Sequence, residues 1–426
     1  MRPKGLKGET MVYGLLGEHL SHSYSPLIHS MLGDYEYRLF EKSPDELCDF
    51  LKNGDFKAIN VTIPYKKAVI PYLSDLSENA KAAGSVNVII RREDGSLFGD
   101  NSDIGGFYSL IRKSKIPVKS KKVLVLGSGG ASNTAVFVLS RLGAREIVVI
   151  SRSGENNYTN IHRHSDADVI INTTPVGMYP NNGKSPVDLS VFKRLSGVID
   201  VIYNPFETAL ILDAKERGIK AIGGLNMLVA QAAIANEMFF SRKLDRSVIN
   251  NAEKQVALSM KNIVLIGMPG CGKSTTGKRL AALTGRRFID IDAEIEKRTG
   301  RTIPEIFREE GEDAFRKLET EVTAEVCRES GCVISTGGGV VTREENRRHI
   351  RQNSVVIFLS RSLDKLATRG RPLSETNFAD ALWAVRGPRY KEWSDIQMLN
   401  TGINYTSRSI MRTLNLRRKE NNQNEK

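Results

Sequence analysis

Apolar residues in this chain come in short runs set between polar-faced stretches, and the pattern changes character three times. Between Met11 and about Ser109, runs such as Ala58–Ile63 and Val86–Ile90 alternate with polar helical segments, which predicts an α/β layer. From Lys122 the order is sharper. Val123–Leu126 reads as a buried strand, Gly127–Gly130 as a turn, Ala131–Leu142 as a helix and Glu146–Ile150 as the next strand, together one βαβ unit. Val169–Ile171 and Val198–Val201 are expected as further strands of that sheet. Ser241–Met260 turns polar, and its end, 251–260, reads as a linker. Ile263–Ile266 opens a second α/β pattern that runs to about Leu416, and 417–426 is a polar tail expected to fray.

Composition sharpens this division. A chain of 426 residues with 40% hydrophobic and 26% charged residues has enough apolar material for roughly two to four folded domains and is not globally disordered. No apolar run approaches the roughly 20 residues that cross a bilayer. Met1–Thr10 is polar and lacks the apolar stretch of a secretory signal. The cysteines at 48, 271, 327 and 332 form no CxxC pair. A reduced, cytoplasmic protein without structural disulfides is the expectation. The six histidines show no metal-ligand spacing.

The net charge is +13, of which residues 1–250 contribute +5 (31 basic, 26 acidic) and 251–426 contribute +8 (31 basic, 23 acidic). The excess is spread and not a tail, which suits small anionic ligands. Neither a zinc-finger pattern nor an aromatic RNA-binding signature is present, so no specific nucleic-acid partner and no membrane are expected. The pattern fixes no oligomeric state, and a homodimer stays open.

The first candidate chemistry is the turn Gly127-Ser128-Gly129-Gly130-Ala131 between strand and helix. Glycines let the backbone approach a pyrophosphate, and the helix N-terminus offers free N–H groups. At the end of the second strand stands Ser151-Arg152-Ser153, where an NAD site usually carries a carboxylate. Arg152 can pair with a 2′-phosphate, which favours NADP over NAD. Ahead of this unit lie Ser23-Tyr-Ser25-Pro, whose hydroxyls are expected on one side of an extended loop, and Asn60-Val-Thr62-Ile-Pro-Tyr-Lys66, a lysine in a proline-stiffened loop. Gly99-Asp-Asn-Ser-Asp103 is a polar cluster at another strand end. Hydroxyls, amides and a Lys/Asp pair suit a small polyhydroxylated acid.

Taken with Gly84-Ser-Val-Asn87 and Gly224-Leu-Asn-Met-Leu-Val-Ala-Gln231, these motifs resemble shikimate 5-dehydrogenase over nearly all of residues 11–240. The resemblance implies NADPH-dependent reduction of 3-dehydroshikimate, with Lys66 and Asp103 as the catalytic pair. It implies substrate contacts from Ser23, Ser25, Thr62, Asn87, Tyr203 and Gln231. The cofactor would lie on residues 127–131, Ser151, Arg152, Ser153, Asn172, Thr173 and Gly224. The chain departs from the family at three points. Only 14 residues separate Ser153 from Asp168, so the crossover helix is cut short; a second arginine beyond Arg152 is missing; and Asn226 stands where many members have glycine.

The second candidate chemistry is Gly267-Met-Pro-Gly270-Cys-Gly272-Lys273-Ser274, a GxxxxGK[ST] loop between strand and helix. Its N–H groups cradle phosphates, Lys273 reaches the β/γ oxygens and the Ser274 hydroxyl can ligate Mg²⁺. Cys271 reads as a small filler within it. No HRD or DFG triplet is present, which excludes protein-kinase machinery. Asp290 and Asp292 are expected on one side of a strand end, one to support Mg²⁺ and one to hold an acceptor hydroxyl. Phe315-Arg316-Lys-Leu-Glu319, Gly337-Gly338-Gly339, Arg371-Pro and Arg386-Gly-Pro-Arg-Tyr390 follow.

This set resembles shikimate kinase across about residues 262–390. The resemblance implies ATP on Gly267, Gly270, Gly272, Lys273, Ser274, Thr275 and Arg371, the last from a lid that is short here. It implies shikimate on Asp292, Arg316, Gly338 and Arg386, Mg²⁺ on Ser274 and Asp290, and Glu319 orienting Arg316. The implied fold is a shikimate-dehydrogenase-type α/β substrate domain plus a Rossmann NADP domain, followed by a P-loop nucleoside-monophosphate-kinase-like α/β domain. Their expected bounds are 1–250 for the dehydrogenase (substrate part 11–103 and 225–245, Rossmann part 104–224) and 261–416 for the kinase. The rivals are a quinate-preferring, NAD-using dehydrogenase half, and a non-catalytic shikimate-sensing regulator that has lost turnover.

Overall fold

The computed structural model describes residues 11–21, 23–362, 366 and 376–416. The chain divides into two compact units: Met1–Gly177 with Lys184–Tyr203 and Asp213–Val256, and Ala257–Lys426 with Met178–Gly183 and Asn204–Leu212. His22 and Arg371, both singled out by the motifs, lie outside the described residues.

The first unit holds two sheets. One is built from β1 (Tyr13–Gly17), β2 (Tyr37–Glu41), β3 (Ala58–Val61), β4 (Asp75–Leu76), β5 (Val88–Arg91) and β6 (Leu97–Asp100), in the order β2-β1-β3-β5-β6-β4. β1 runs parallel to both of its neighbours, and β5 is antiparallel to β3 and β6. The other is all parallel, with β7 (Lys122–Leu126), β8 (Glu146–Ile150), β9 (Val169–Asn172), β10 (Gly197–Asp200) and β11 (Lys220–Ile222) in the order β11-β10-β9-β7-β8. β7 is buried along its whole length, as a central strand covered on both faces must be. Chain order reverses on either side of β7, so the crevice at its C-terminal end is a switch point of the kind where dinucleotides bind. The β8–β9 connection carries only the 3₁₀ turn Ile161–His164, in line with the shortened crossover expected.

The second unit holds one parallel sheet of β12 (Asn262–Ile266), β13 (Phe288–Asp290), β14 (Val333–Ser335), β15 (Ser354–Ser360) and β16 (Ile396–Leu399), in the order β13-β14-β12-β15-β16. Val264, Ile266, Ile334, Phe358, Tyr390 and Trp393 share its core.

Four local expectations change. Residues 251–260, read as a linker, are helical, the end of Arg246–Met260, and the division between the two units falls within them. Ala252, Val256 and Met260 are fully buried along it, an apolar line at four-residue spacing within an otherwise polar stretch. Ser25 begins the helix Ser25–Leu32 and does not lie in an extended loop with Ser23; Pro26 suits the first helical turn. Lys66 sits in the helical turn Tyr65–Ala68. Asp292 is not on the strand: β13 stops at Asp290, which caps the helix Ile291–Thr299 by accepting the Asp292 N–H at 3.2 Å.

Candidate active sites

In the first unit Lys66 and Asp103 meet, with Nζ 2.6 Å from Oδ2. They come from opposite ends of the sequence pattern, one following β3, the other opening the helix Asp103–Ser114 after β6. Two bonds fix the turn that carries Lys66. The Lys66 carbonyl accepts from the Val86 N–H at 2.7 Å, and the Tyr65 hydroxyl donates to the Lys42 carbonyl at 2.6 Å. Asn87 is buried, with its amide oxygen on the Ser102 N–H (2.7 Å) and its nitrogen on Ser102 Oγ (3.0 Å). Asn87 thus fixes the turn that presents Asp103. Ser102 Oγ also lies 3.4 Å from Gln231 Oε1, bringing Gln231 to the same turn. Ser102 carries no motif signal beyond its place in the Gly99–Asp103 cluster, and reading the sequence did not single it out.

The remaining residues expected at this site have these positions. Ser23 Oγ accepts the Ser25 N–H at 3.2 Å. Thr62 follows β3, its N–H bonded to the Leu16 carbonyl. The Tyr203 ring meets Tyr24 edge-on with centroids 6.2 Å apart, and burial raises its hydroxyl above the ordinary tyrosine range. Asn172 is fully buried and bonded to Asp200 at 3.0 Å, so its side chain is committed to joining β9 and β10. Gly224 is buried against β10's end, where a Cβ would fall 2.0 Å from the Val201 carbonyl oxygen.

The dinucleotide turn fits a pyrophosphate. Gly127 adopts φ 109°, and a Cβ at Gly129 or Gly130 would meet nothing within 4 Å, so the space over the helix N-terminus is open. Ser128 is exposed beside them and Ala131 begins to turn inward. Thr173 Oγ1 donates to the Leu126 carbonyl at 2.6 Å, tying the floor of the crevice. Arg152 and Ser153 are exposed just past β8, and the Ser151 N–H is held by the Asn156 carbonyl.

In the second unit a cavity of about 750 Å³ gathers Gly270, Gly272, Lys273, Ser274, Thr275, Asp292, Arg316, Glu319, Gly338 and Arg386 around one space. Gly267 and Asp290 stand outside its lining. Gly267, Gly270 and Gly272 all have positive φ, the loop shape that only glycine takes readily. Lys273 Nζ bonds the carbonyls of Gly267 (2.9 Å) and Met268 (3.1 Å), which curls its head over the loop. Ser274 Oγ lies 3.2 Å from Ser335 Oγ. Asp290 is the strand partner of Ser335, and a hydroxyl with a carboxylate are donors of the kind Mg²⁺ takes while keeping most of its waters.

Arg316 is buried and clamped by two carboxylates, Glu319 at 2.7 Å and Glu312 at 2.9 Å. Its guanidinium lies flat on Gly339, where a Cβ would fall 1.9 Å from Nη1. A Cβ at Gly337 would meet both Glu319 and Asp292, so these glycines hold open the space in which the charges converge. Arg386 Nη1 and the Tyr390 hydroxyl both donate to the Gly338 carbonyl. Burial, then the nearby carboxylates of Glu319 and Asp290, push Asp292 up to about 7 against the pull of Lys273 and Arg316. Burial likewise raises Glu319, opposed chiefly by Arg316. Glu312 escaped the sequence reading, although its four-residue spacing from Arg316 on a helix face was a usable signal.

The four cysteines are free. Among the described residues no cluster of three or more His, Cys, Asp or Glu could hold a metal, and no helix is long and apolar enough to cross a membrane.

A switch-point crevice with a Lys–Asp pair and a glycine-rich cavity over a P-loop define two classes in one chain, a dinucleotide-dependent oxidoreductase and a P-loop phosphotransferase. Comparison with known proteins specifies both. Residues 15–89 match the family model for the shikimate dehydrogenase substrate-binding domain, and residues 269–414 match the model for shikimate kinase. The chain is 36% identical over 255 residues to shikimate dehydrogenase (NADP(+)) of Clostridium beijerinckii, covering 55% of this chain and 94% of that protein. Among solved structures, a chorismate mutase/shikimate 5-dehydrogenase fusion protein from Clostridium acetobutylicum aligns with TM-score 0.55 at 37% identity, over 58% of this chain and 97% of the other. Shikimate 5-dehydrogenase from Thermus thermophilus, in complex with NADP(H) and shikimate, aligns with TM-score 0.53 at 28% identity, over 57% and 99%. The chain belongs to the shikimate dehydrogenase family, and fused to that part is a shikimate kinase domain.

Proposed function

We propose that the chain is a bifunctional enzyme that reduces 3-dehydroshikimate to shikimate with NADPH and then phosphorylates shikimate to shikimate 3-phosphate with ATP and Mg²⁺. The dehydrogenase lies within residues 1–250 and the kinase within 261–416. The observation that carries the reading is that both motif sets close in space: Lys66 on Asp103 in one unit, and Lys273, Ser274, Asp292, Arg316 and Arg386 around a single cavity in the other.

In the first site NADPH, when bound, supplies the hydride. Charge then builds on the substrate's carbonyl oxygen, and Lys66 donates a proton to it. Asp103 holds the ammonium in place. Ser23, Ser25, Thr62, Tyr203 and Gln231 present hydroxyl, phenol and amide groups to the ring hydroxyls and carboxylate, and Asn87 acts on the same turn. Arg152 pairs with the 2′-phosphate that distinguishes NADP from NAD.

In the second site ATP supplies the phosphoryl group, and Lys273 with the loop N–H groups and Mg²⁺ balances its charge. Ser274 and Asp290 would hold the ion. Arg316 and Arg386 bind the shikimate carboxylate. Asp292 accepts the proton of the attacking hydroxyl, a task suited to a carboxyl that titrates near neutrality.

The test is one reaction vessel. Purified protein given 3-dehydroshikimate, NADPH, ATP and Mg²⁺ should yield shikimate 3-phosphate, with shikimate accumulating when ATP is withheld. NADPH consumption without phosphorylated product removes the kinase half. Faster turnover on quinate with NAD than on shikimate with NADP, in the oxidative direction, replaces the dehydrogenase assignment.

A further inference from the structure

We infer that Asn400 is a positioning residue for nucleotide binding: its side-chain amide holds the peptide between Cys271 and Gly272 so that the Gly272 N–H serves the phosphate cradle. The inference deepens the kinase assignment and rests on it. Asn400 follows β16 directly, and its own N–H bonds the Ser360 carbonyl at 2.8 Å, so its backbone is an extension of the sheet. The side chain is buried. Its Nδ2 donates to the Cys271 carbonyl at 2.7 Å. Its Oδ1 accepts from the Thr406 hydroxyl at 3.1 Å, and Thr406 is itself fully buried. The Cys271 carbonyl decides which end of the amide faces the loop, because a flipped amide would oppose two acceptors there; the Thr406 hydroxyl then donates to the other end.

Carbonyl and N–H of a trans peptide point in opposite directions. Fixing the Cys271 carbonyl on Asn400 therefore fixes the Gly272 N–H away from it. Gly272 has φ 95°, and a Cβ there would fall 2.4 Å from Asn400 Nδ2, so the amide lies directly on the glycine. Gly272 opens the helix that begins with Lys273, whose free N–H end is the anion-binding part of the fold. Asn400 and Gly272 both line the cavity. Without the amide the peptide can rotate, and one donor of the cradle is no longer aimed before the nucleotide arrives.

Asn400→Asp keeps the shape and replaces the donor by an acceptor facing the Cys271 carbonyl. In the full chain this variant should bind MgADP about tenfold or more weakly by calorimetry. It should raise the KM for ATP more than it lowers kcat, and leave the KM for shikimate and the NADPH-dependent reduction unchanged. Thr406→Val, close to isosteric, should weaken MgADP binding in the same direction by less, because the amide keeps its bond to the Cys271 carbonyl and loses only the one that steadies its other end. MgADP affinity within twofold of the parent in a folded Asn400→Asp protein overturns the assignment. Where Asn400→Asp fails to fold, unchanged MgADP affinity in Thr406→Val overturns it as well. A parent protein that binds MgADP but phosphorylates no shikimate would remove the kinase reading alone, and the two variants would still read out in nucleotide binding. A parent that binds no MgADP removes both.

Discussion

The two candidate active sites solve the placement of charge in opposite ways. In the dehydrogenase cleft an ion pair, Lys66 with Asp103, stands partly open to water, and its geometry comes from a backbone bond under Lys66 and the Asn87 amide under the turn that presents Asp103. In the kinase cavity Arg316 is buried between Glu312 and Glu319, with Asp292 close enough to feel Glu319. Removing one member of the exposed pair should cost catalysis and spare the fold. Removing Arg316 or Glu319 from the buried cluster should cost both, since the partner left behind is a desolvated charge.

The largest effects separate the two halves. Lys66→Ala should lower NADPH oxidation by about 10³-fold or more and leave ATP-dependent phosphorylation within twofold. Lys273→Ala should do the reverse. The comparison breaks if either variant loses both activities while remaining folded, which coupled spectrophotometric assays on the same preparation would show.

The next effect concerns pH. Burial and the carboxylates of Glu319 and Asp290 push Asp292 up to about 7, so in its proposed role it keeps its proton below that pH and takes none from the shikimate hydroxyl. Kinase kcat/KM should fall by roughly tenfold per pH unit on the acid side and level off above about pH 8. The stability consequence has the opposite sense. A carboxyl raised in the folded state stabilises fully below its unfolded value, near 4, and loses that contribution as pH rises through 7. Asp292→Asn should therefore abolish phosphorylation yet gain heat resistance relative to the parent at pH 8 compared with pH 5. An acid limb that survives in a slow Asp292→Asn enzyme would assign the titration to another group.

Glu319→Gln comes third. It leaves Arg316 one carboxylate and should raise the KM for shikimate about tenfold while lowering the kinase unit's stability by about 3 kcal/mol at most, because Glu312 remains. Thermal inactivation of phosphorylation, followed beside that of NADPH oxidation, checks it. Equal loss in both activities would show that the buried cluster is not confined to the kinase in its effect.

How far the sequence discloses these sites follows the same contrast. Both nucleotide loops were legible because strand, glycines and helix are contiguous, and the spacing carries the shape. Lys66 and Asp103 group as a Lys/Asp pair by their chemistry, and the catalytic role comes from family resemblance; nothing local joins residues 37 positions apart until β3, β5 and β6 bring them to one end of a sheet. Asp292 was placed on the wrong element because alternation of Asp290 and Asp292 satisfies a strand, while the backbone turns into a helix one residue earlier. The polar stretch before β12 hid a helix for a similar reason: three buried positions, four apart, are too few to outweigh a charged and amide-rich face.

That helix supplies the smallest test. Asn226, the residue at odds with the family's usual glycine, donates to Glu253 on Arg246–Met260 at 2.9 Å and accepts from Ser109 Oγ at 2.9 Å. Lys113 reaches the other Glu253 oxygen at 2.5 Å. A glycine there would donate nothing, so the departure reads as a fastening of the helix to the dehydrogenase unit and not as a change in the chemistry. Glu253→Ala removes both bonds at once and should destabilise the dehydrogenase unit by about 1 kcal/mol, the scale of a partly exposed ion pair plus one hydrogen bond. The KM values for NADPH and 3-dehydroshikimate should stay within twofold. Faster amide exchange along Arg246–Met260 in the variant, with no change at the Lys66 turn, would confine the effect to the helix. A shift in substrate KM would mean that Asn226 acts on the site after all, and the contrast between an open catalytic pair and its distant backbone supports would need redrawing.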